Sequence, residues 1–181
     1  MKQIIFLLVY TLFFISNSTA QSPESKAGPV FENYGKVYPV PEPDFPASKD
    51  IIYRVLFDIY DSPENPEQLN AQINTLARFY NMHVQAGVPL ENLEVACVFH
   101  NKASWDAANS EQYKEKYGVD NPNEVLLEAL SEVGARIFIC GQSLYARGLD
   151  RERLAEPVKV GLSAMTIILS LQQEGYVLIK F

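Results

Sequence analysis

Two side chains in this sequence are placed to do chemistry near neutral pH, Cys140 and His100. Cys140 follows the apolar run Ile137-Phe138-Ile139, which reads as a strand buried on both faces. Gly141 comes next, Gln142 to Arg147 can form a short helix, and Gly148 is placed to stop it. A cysteine between a strand end and a helix start lies near unpaired backbone N–H groups and the positive end of the helix dipole. Those surroundings favour a thiolate, the nucleophilic form. The competing reading is that Cys140 is a small buried hydrophobe. His100 ends another apolar run, Leu93 to His100, and can serve as a base or simply bond a loop. Arg147 can supply positive charge to the thiolate, or be a surface charge or a subunit contact. Cys140 and His100 are thus the candidate catalytic pair. Asn101, Gly141, Gln142, Ser143 and Arg147 are the candidate substrate-binding residues.

Other constellations are missing. Cys97 lies three residues before His100, roughly 10 Å down the same strand and on its opposite face. It reads as core packing, too far from Cys140 for a disulfide. His83 and His100 have no matching cysteine spacing for zinc, so no metal is expected. Asp58 to Pro63 contains no glycine, so no phosphate loop follows the first strand and no cofactor is expected. His83 falls on a helix and is expected to face solvent.

The elements that must position these residues alternate at short intervals. Residues 51–60 are β-branched and aromatic, a mostly buried strand. Asn65-Pro66-Glu67-Gln68 reads as a helix N-cap with Pro at the first helical position. Leu69, Ile73, Leu76, Tyr80 and Val84 form the apolar face of that helix, ended by Gly87. The second strand runs from Leu93 to His100, and a short helix from Glu111 to Tyr117 closes at Gly118. Asn121-Pro122-Asn123-Glu124 repeats the capping pattern ahead of Leu126, Leu127, Leu130 and Val133. The third strand ends at Cys140, and Asp150 can cap a further turn. Val158 to Val160 is a short strand, Leu162 to Glu174 a helix, and Tyr176 to Phe181 the last strand. Such alternation predicts an α/β fold, a mainly parallel sheet of about five strands with helices on both faces. Ligands of these folds bind at the carboxyl ends of the strands. His100 and Cys140 both fall on that edge, roughly 5 Å apart if their strands are neighbours.

The ends of the chain and its charge narrow the setting. Lys2, the apolar run Ile4 to Ile15 and Ser18-Thr19-Ala20 read as a cleavable signal peptide, residues 1–20, cut after Ala20. The twelve-residue run is too short to span a bilayer. The expected location is periplasmic or secreted, with no membrane attachment after cleavage. Residues 21–48 hold six of the eleven prolines together with Phe31, Tyr34, Tyr38 and Phe45. They read as an extended arm that packs on the domain or on a neighbouring subunit, or else as a spacer. Residues 49–181 form one α/β domain. Loss of Lys2 with the signal moves the net charge from −7 to −8. An acidic chain with no basic stripe excludes nucleic acid as an expected partner.

Cys140-Gly-Gln-Ser-Leu-Tyr-Ala-Arg-Gly-Leu149, Val160-Gly-Leu-Ser-Ala-Met165 and Gln172-Gln-Glu-Gly-Tyr-Val177 resemble the DsrE/DsrF-like family, which includes YchN-like proteins. The resemblance runs from about Ile51 to Phe181. It implies a flavodoxin-like three-layer α/β/α sandwich and assembly as homotrimers or homohexamers. In the sulfur-relay members, the cysteine at the position of Cys140 carries sulfur as a persulfide. His100 falls where many relatives have His-Gly; here Asn101 replaces the glycine. The implied function is sulfur handling at Cys140 by an exported protein, with a sulfur donor or acceptor protein as partner. The alternative is a non-catalytic oligomeric module that binds a small ligand or a partner at the strand-end pocket.

Overall fold

The computed structural model describes residues 23–180. The expected signal segment, its cleavage point and Phe181 lie outside the described residues. Five strands, β1 (Tyr53–Ile59), β2 (Leu93–Phe99), β3 (Arg136–Cys140), β4 (Val158–Gly161) and β5 (Val177–Ile179), form one sheet. Their order is β4-β3-β2-β1-β5, and every pairing is parallel. The helices are α1 (Ala71–Gln85), α2 (Ser110–Tyr117), α3 (Glu124–Glu132), α4 (Gly141–Ala146) and α5 (Ala164–Gln173).

The period-two alternation of strands divides the core. Odd-numbered residues (Val55, Phe57 and Ile59 in β1; Val95, Cys97 and Phe99 in β2; Ile137 and Ile139 in β3) pack with Ile73, Leu76 and Tyr80 of α1 and Leu126, Leu127 and Leu130 of α3. Even-numbered Leu56, Ala96, Val98 and Cys140 pack with Ala164, Ile167 and Leu171 of α5. The result is the α/β/α sandwich. Each fully buried Leu or Ile contributes about 1.5–3 kcal/mol of apolar transfer, so the sheet is a rigid base for its carboxyl edge.

One helix start differs from the capping pattern. Helix α1 begins at Ala71, not at Pro66, and its N-cap is Asn70, whose side chain accepts from Gln72 N at 2.8 Å. Asn65 instead accepts from Glu67 N at 3.1 Å and makes a turn. Tertiary bonds decide between the two asparagines. Asn70 N donates to Asn123 Oδ1 (2.8 Å), and Asn70 Nδ2 donates to Asp106 Oδ2 (2.6 Å) and to the carbonyl of Asp61 (2.8 Å). Ahead of α3, Asn121 does cap as the pattern expects: its Oδ1 accepts from Asn123 N at 2.9 Å, and Asn123 already has a helical backbone conformation. The shorter-range signals hold: Gly118 and Gly148 lie at positive φ after α2 and α4, and Asp150 caps the turn Arg151–Arg153.

Asn81 of α1 holds the start of the proline-rich segment. Its Oδ1 accepts from Val30 N and Phe31 N (3.0 and 2.9 Å), and its Nδ2 donates to the carbonyls of Phe31, Tyr34 and Gly35. Phe31 and Val37 are buried. Gly35 is required there, since a Cβ would come within 2.3 Å of Arg78 N. Beyond Val37, Tyr38, Val40 and Phe45 are exposed and line a groove with Met82, His83 and Ala86, before Ala47 packs back onto the main core. His83 does not face solvent. Its ring is half-buried against Phe79 and Tyr53, Nδ1 donates to the carbonyl of Phe79 at 2.8 Å, and burial holds its pKa down.

Candidate functional site

Cys140 is the last residue of β3 and the N-cap of α4. Strands β2 and β3 are neighbours, with Phe99 opposite Ile139. The next positions along that ladder are His100 and Cys140. The backbone of His100 stays extended, at φ −152° and ψ 177°, so the alternation continues. Both residues therefore belong to the α5 face of the sheet, at its carboxyl edge. Cys97 belongs to the other face, deep in the main core, where burial pushes its thiol up to about 12. Both cysteines are free.

The surroundings of the Cys140 sulfur come from two helix starts. Burial pushes the thiol up. The Ser143 hydroxyl and the backbone N–H groups of Ser143, Ala164 and Gln142 pull it down, and they prevail, so Cys140 lies below the ordinary thiol range. Their positive ends converge on Sγ, although none forms a full cap hydrogen bond to it. Ala164 opens α5, whose own cap is Ser163, accepting from Thr166 N at 3.0 Å. The β4–α5 junction can approach α4 this closely because residue 141 is glycine. A Cβ on Gly141 would lie 2.7 Å from the carbonyl oxygen of Gly161. Gly141 is buried, so its place in the site is packing against β4. Cys140 itself is 5% exposed.

Beside Cys140, which does not itself line it, His100, Asn101, Gln142, Ser143, Ala146 and Arg147 line one cavity of about 510 Å³. Arg147 Nη2 donates to Asn101 Oδ1 at 2.6 Å, and Asn101 N donates to Ser143 Oγ at 3.2 Å. Arg147 therefore reaches the thiol's neighbour Ser143 through Asn101 rather than touching Cys140. Asn101 keeps a left-handed backbone, φ +55°, a conformation that glycine adopts freely and asparagine tolerates. Gln142 Nε2 donates to the carbonyl of Leu162 at 3.3 Å, closing the other side of α4.

Three participants escaped the sequence reading. Asp58, on β1, meets His100 Nε2 at 2.6 Å. Lys180, just past β5, brings Nζ to 3.7 Å from Asp58 Oδ2 and lies 4.7 Å from the Tyr60 ring centre. Ala164 contributes only its N–H. Asp58 did carry a signal: it is an acid in an apolar strand, at an even position like His100 and Cys140.

The DsrE/DsrF-like family profile matches residues 54–181. The chain belongs to this family. Among solved structures it is similar to MTH1491, a protein of unknown function from Methanobacterium thermoautotrophicum, at 23% identity and a TM-score of 0.52. That match covers 70% of this chain and 97% of MTH1491. It is also similar to the ychN protein from E. coli, at 16% identity and a TM-score of 0.52, over 71% of this chain and 99% of the other. Both likenesses concern the fold. No curated protein matches.

Proposed function

We propose that this member of the DsrE/DsrF-like family handles sulfur through Cys140, as a persulfide carrier. The Cys140 thiolate attacks the outer sulfur of a donor persulfide or polysulfide. A new S–S bond forms, the donor's S–S bond breaks, and the donor leaves with the electron pair, as a thiolate from a persulfide or as the anion one sulfur shorter from a polysulfide. An acceptor thiolate then removes the sulfur by the same exchange in reverse, with no net change in electrons. The observation that carries the reading is the ring of positive N–H and O–H groups around Sγ, which holds this one thiol down while burial pushes Cys97 up. His100 and Arg147 serve as charge-tuning groups. The cavity beside Cys140, lined by His100, Asn101, Gln142, Ser143 and Arg147, is where the donor group and the acceptor would enter, and the partner is a sulfur-donating or sulfur-accepting protein. We further propose export by the N-terminal segment and assembly of several copies.

The slight exposure of Cys140, 5%, favours a second reading, a non-catalytic binding module in which Cys140 only packs beneath the α5 face next to the pocket. One experiment separates them. Purified protein is incubated with polysulfide and its intact mass is measured. The carrier gains about 32 Da, the mass of one sulfur, and the gain is lost in Cys140→Ser. No adduct, with Cys140 slow toward alkylation at neutral pH, leaves the binding module.

A further inference from the structure

Asp58 is an enclosed carboxylate close to the carboxyl edge of the sheet. Its side chain is 9% exposed, it belongs to β1, and its two oxygens face different elements. Oδ1 takes Nε2 of His100 at 2.6 Å; Oδ2 has the Lys180 ammonium at 3.7 Å. The tie to His100 is short and direct, while the Lys180 contact is longer and 61% exposed at the lysine. A carboxylate accepts only, so the Nε2 of His100 must carry a proton. Among the described residues no hydrogen bond reaches His100 Nδ1. His100 continues the strand next to β3, at the position beside Cys140.

We propose that Asp58 is a positioning residue for Cys140, acting through His100: it fixes the imidazole with its proton on Nε2 and leaves Nδ1 to take the proton of the Cys140 thiol. The Sγ–H bond breaks, the proton passes to Nδ1 directly or through one water, and the electron pair stays on sulfur. The imidazolium so formed is held by Asp58, in the way a buried acid steadies a catalytic histidine. The inference rests on the reading of Cys140 as the reactive thiol. The charged and titratable groups around His100 are Asp58 from β1 and Tyr60 after it, with Lys180 after β5 behind Asp58; Cys140 holds the neighbouring position on β3. Arg147 lies farther out, behind Asn101.

A negative charge near a thiol opposes thiolate formation, so if Asp58 acted on Cys140 directly, Asp58→Asn would make Cys140 more reactive. If Asp58 acts through His100, the same change removes the support of the imidazolium and makes Cys140 less reactive. Asparagine keeps an acceptor for Nε2–H, so the strand ends stay tied. The rate of Cys140 alkylation by iodoacetamide is measured from pH 5 to 10, read by mass on the Cys140 peptide of the full chain. The proposal expects the Asp58→Asn midpoint to move to higher pH, with alkylation about tenfold slower below it, the effect of losing one close charge partner. Asp58→Glu restores the profile. In a His100→Gln background, Asp58→Asn adds no further slowing. A midpoint that falls or stays put, or a full Asp58 effect in the absence of His100, overturns the proposal. Circular dichroism and thermal melts check that each variant is folded, and Asp58→Glu carries the comparison should Asp58→Asn be unstable. Alkylation needs no sulfur donor, so a failed sulfur-loading experiment would overturn the carrier reading and leave this one standing.

Discussion

Asp106 offers a quantitative test of how the loop that carries the site is held. It lies in the turn Asn101–Ala107, which leaves β2 directly after His100, and it is 1% exposed. Its Oδ2 accepts from Ser62 Oγ at 2.8 Å and from Asn70 Nδ2 at 2.6 Å, and among the described residues no cation touches it. Burial pushes its pKa up to about 6; the two hydrogen bonds offset this only in part, and Asp61 adds to the rise. The folded protein therefore holds this proton more tightly than the unfolded chain, where an aspartate titrates at about 3.9. Stability from this group is fully present below about pH 4 and is lost as pH rises through about 6. Two units at about 1.4 kcal/mol each amount to about 3 kcal/mol. Asp106→Asn keeps an acceptor for Ser62 and Asn70 but removes the titration. Its fixed costs are the same at every pH. The stability of variant minus wild type should therefore rise by about 3 kcal/mol between pH 4 and pH 8. Urea denaturation at intervals across that range measures it, and the other carboxylates cancel in the difference. A flat difference, or one that falls with pH, would refute the reasoning.

Other consequences are more local. Gly141→Ala forces a Cβ to within 2.7 Å of the Gly161 carbonyl, so it should cost about 1–3 kcal/mol in urea melts and raise the accessibility of Cys140 to alkylation. Ser143→Ala removes one of the groups that hold the thiol down, so the pH midpoint of Cys140 alkylation should move up, with Cys97 unchanged; an unmoved midpoint would deny Ser143 that role. The Tyr80 hydroxyl is buried in the main core with no hydrogen-bond partner among the described residues, so Tyr80→Phe should leave the thermal midpoint equal or higher. A clear drop would mean that the hydroxyl is satisfied.

What could be read in the sequence was what depends on near neighbours or on period two. Alternation along Leu93 to His100 separates Cys97 from His100 without reference to any other strand, and the structure has them on opposite faces. Gly118, Gly148 and Asp150 end or start elements through their own backbone, so their roles were legible. Asn70 was not, because what selects it over Asn65 is Asn123, 53 residues away. Asp58 was missed for the same reason, its partner lying 42 residues along the chain. His83 was misjudged because its cover is Tyr53, on the strand beneath α1. The candidate site reads as a group because four of its residues share one short helix and its start. The neighbours that set its electrostatics, Ala164 and Asp58, arrive from elsewhere.

The central claim is that Cys140, and not Cys97, is the thiol that carries sulfur. Native protein exposed briefly to limiting polysulfide at neutral pH, then blocked, digested and mapped by mass, tests it directly. The account predicts added sulfur on the Cys140 peptide alone, with Cys97 modified only after denaturation. Sulfur on Cys97 in the native protein, or none on Cys140, would contradict it.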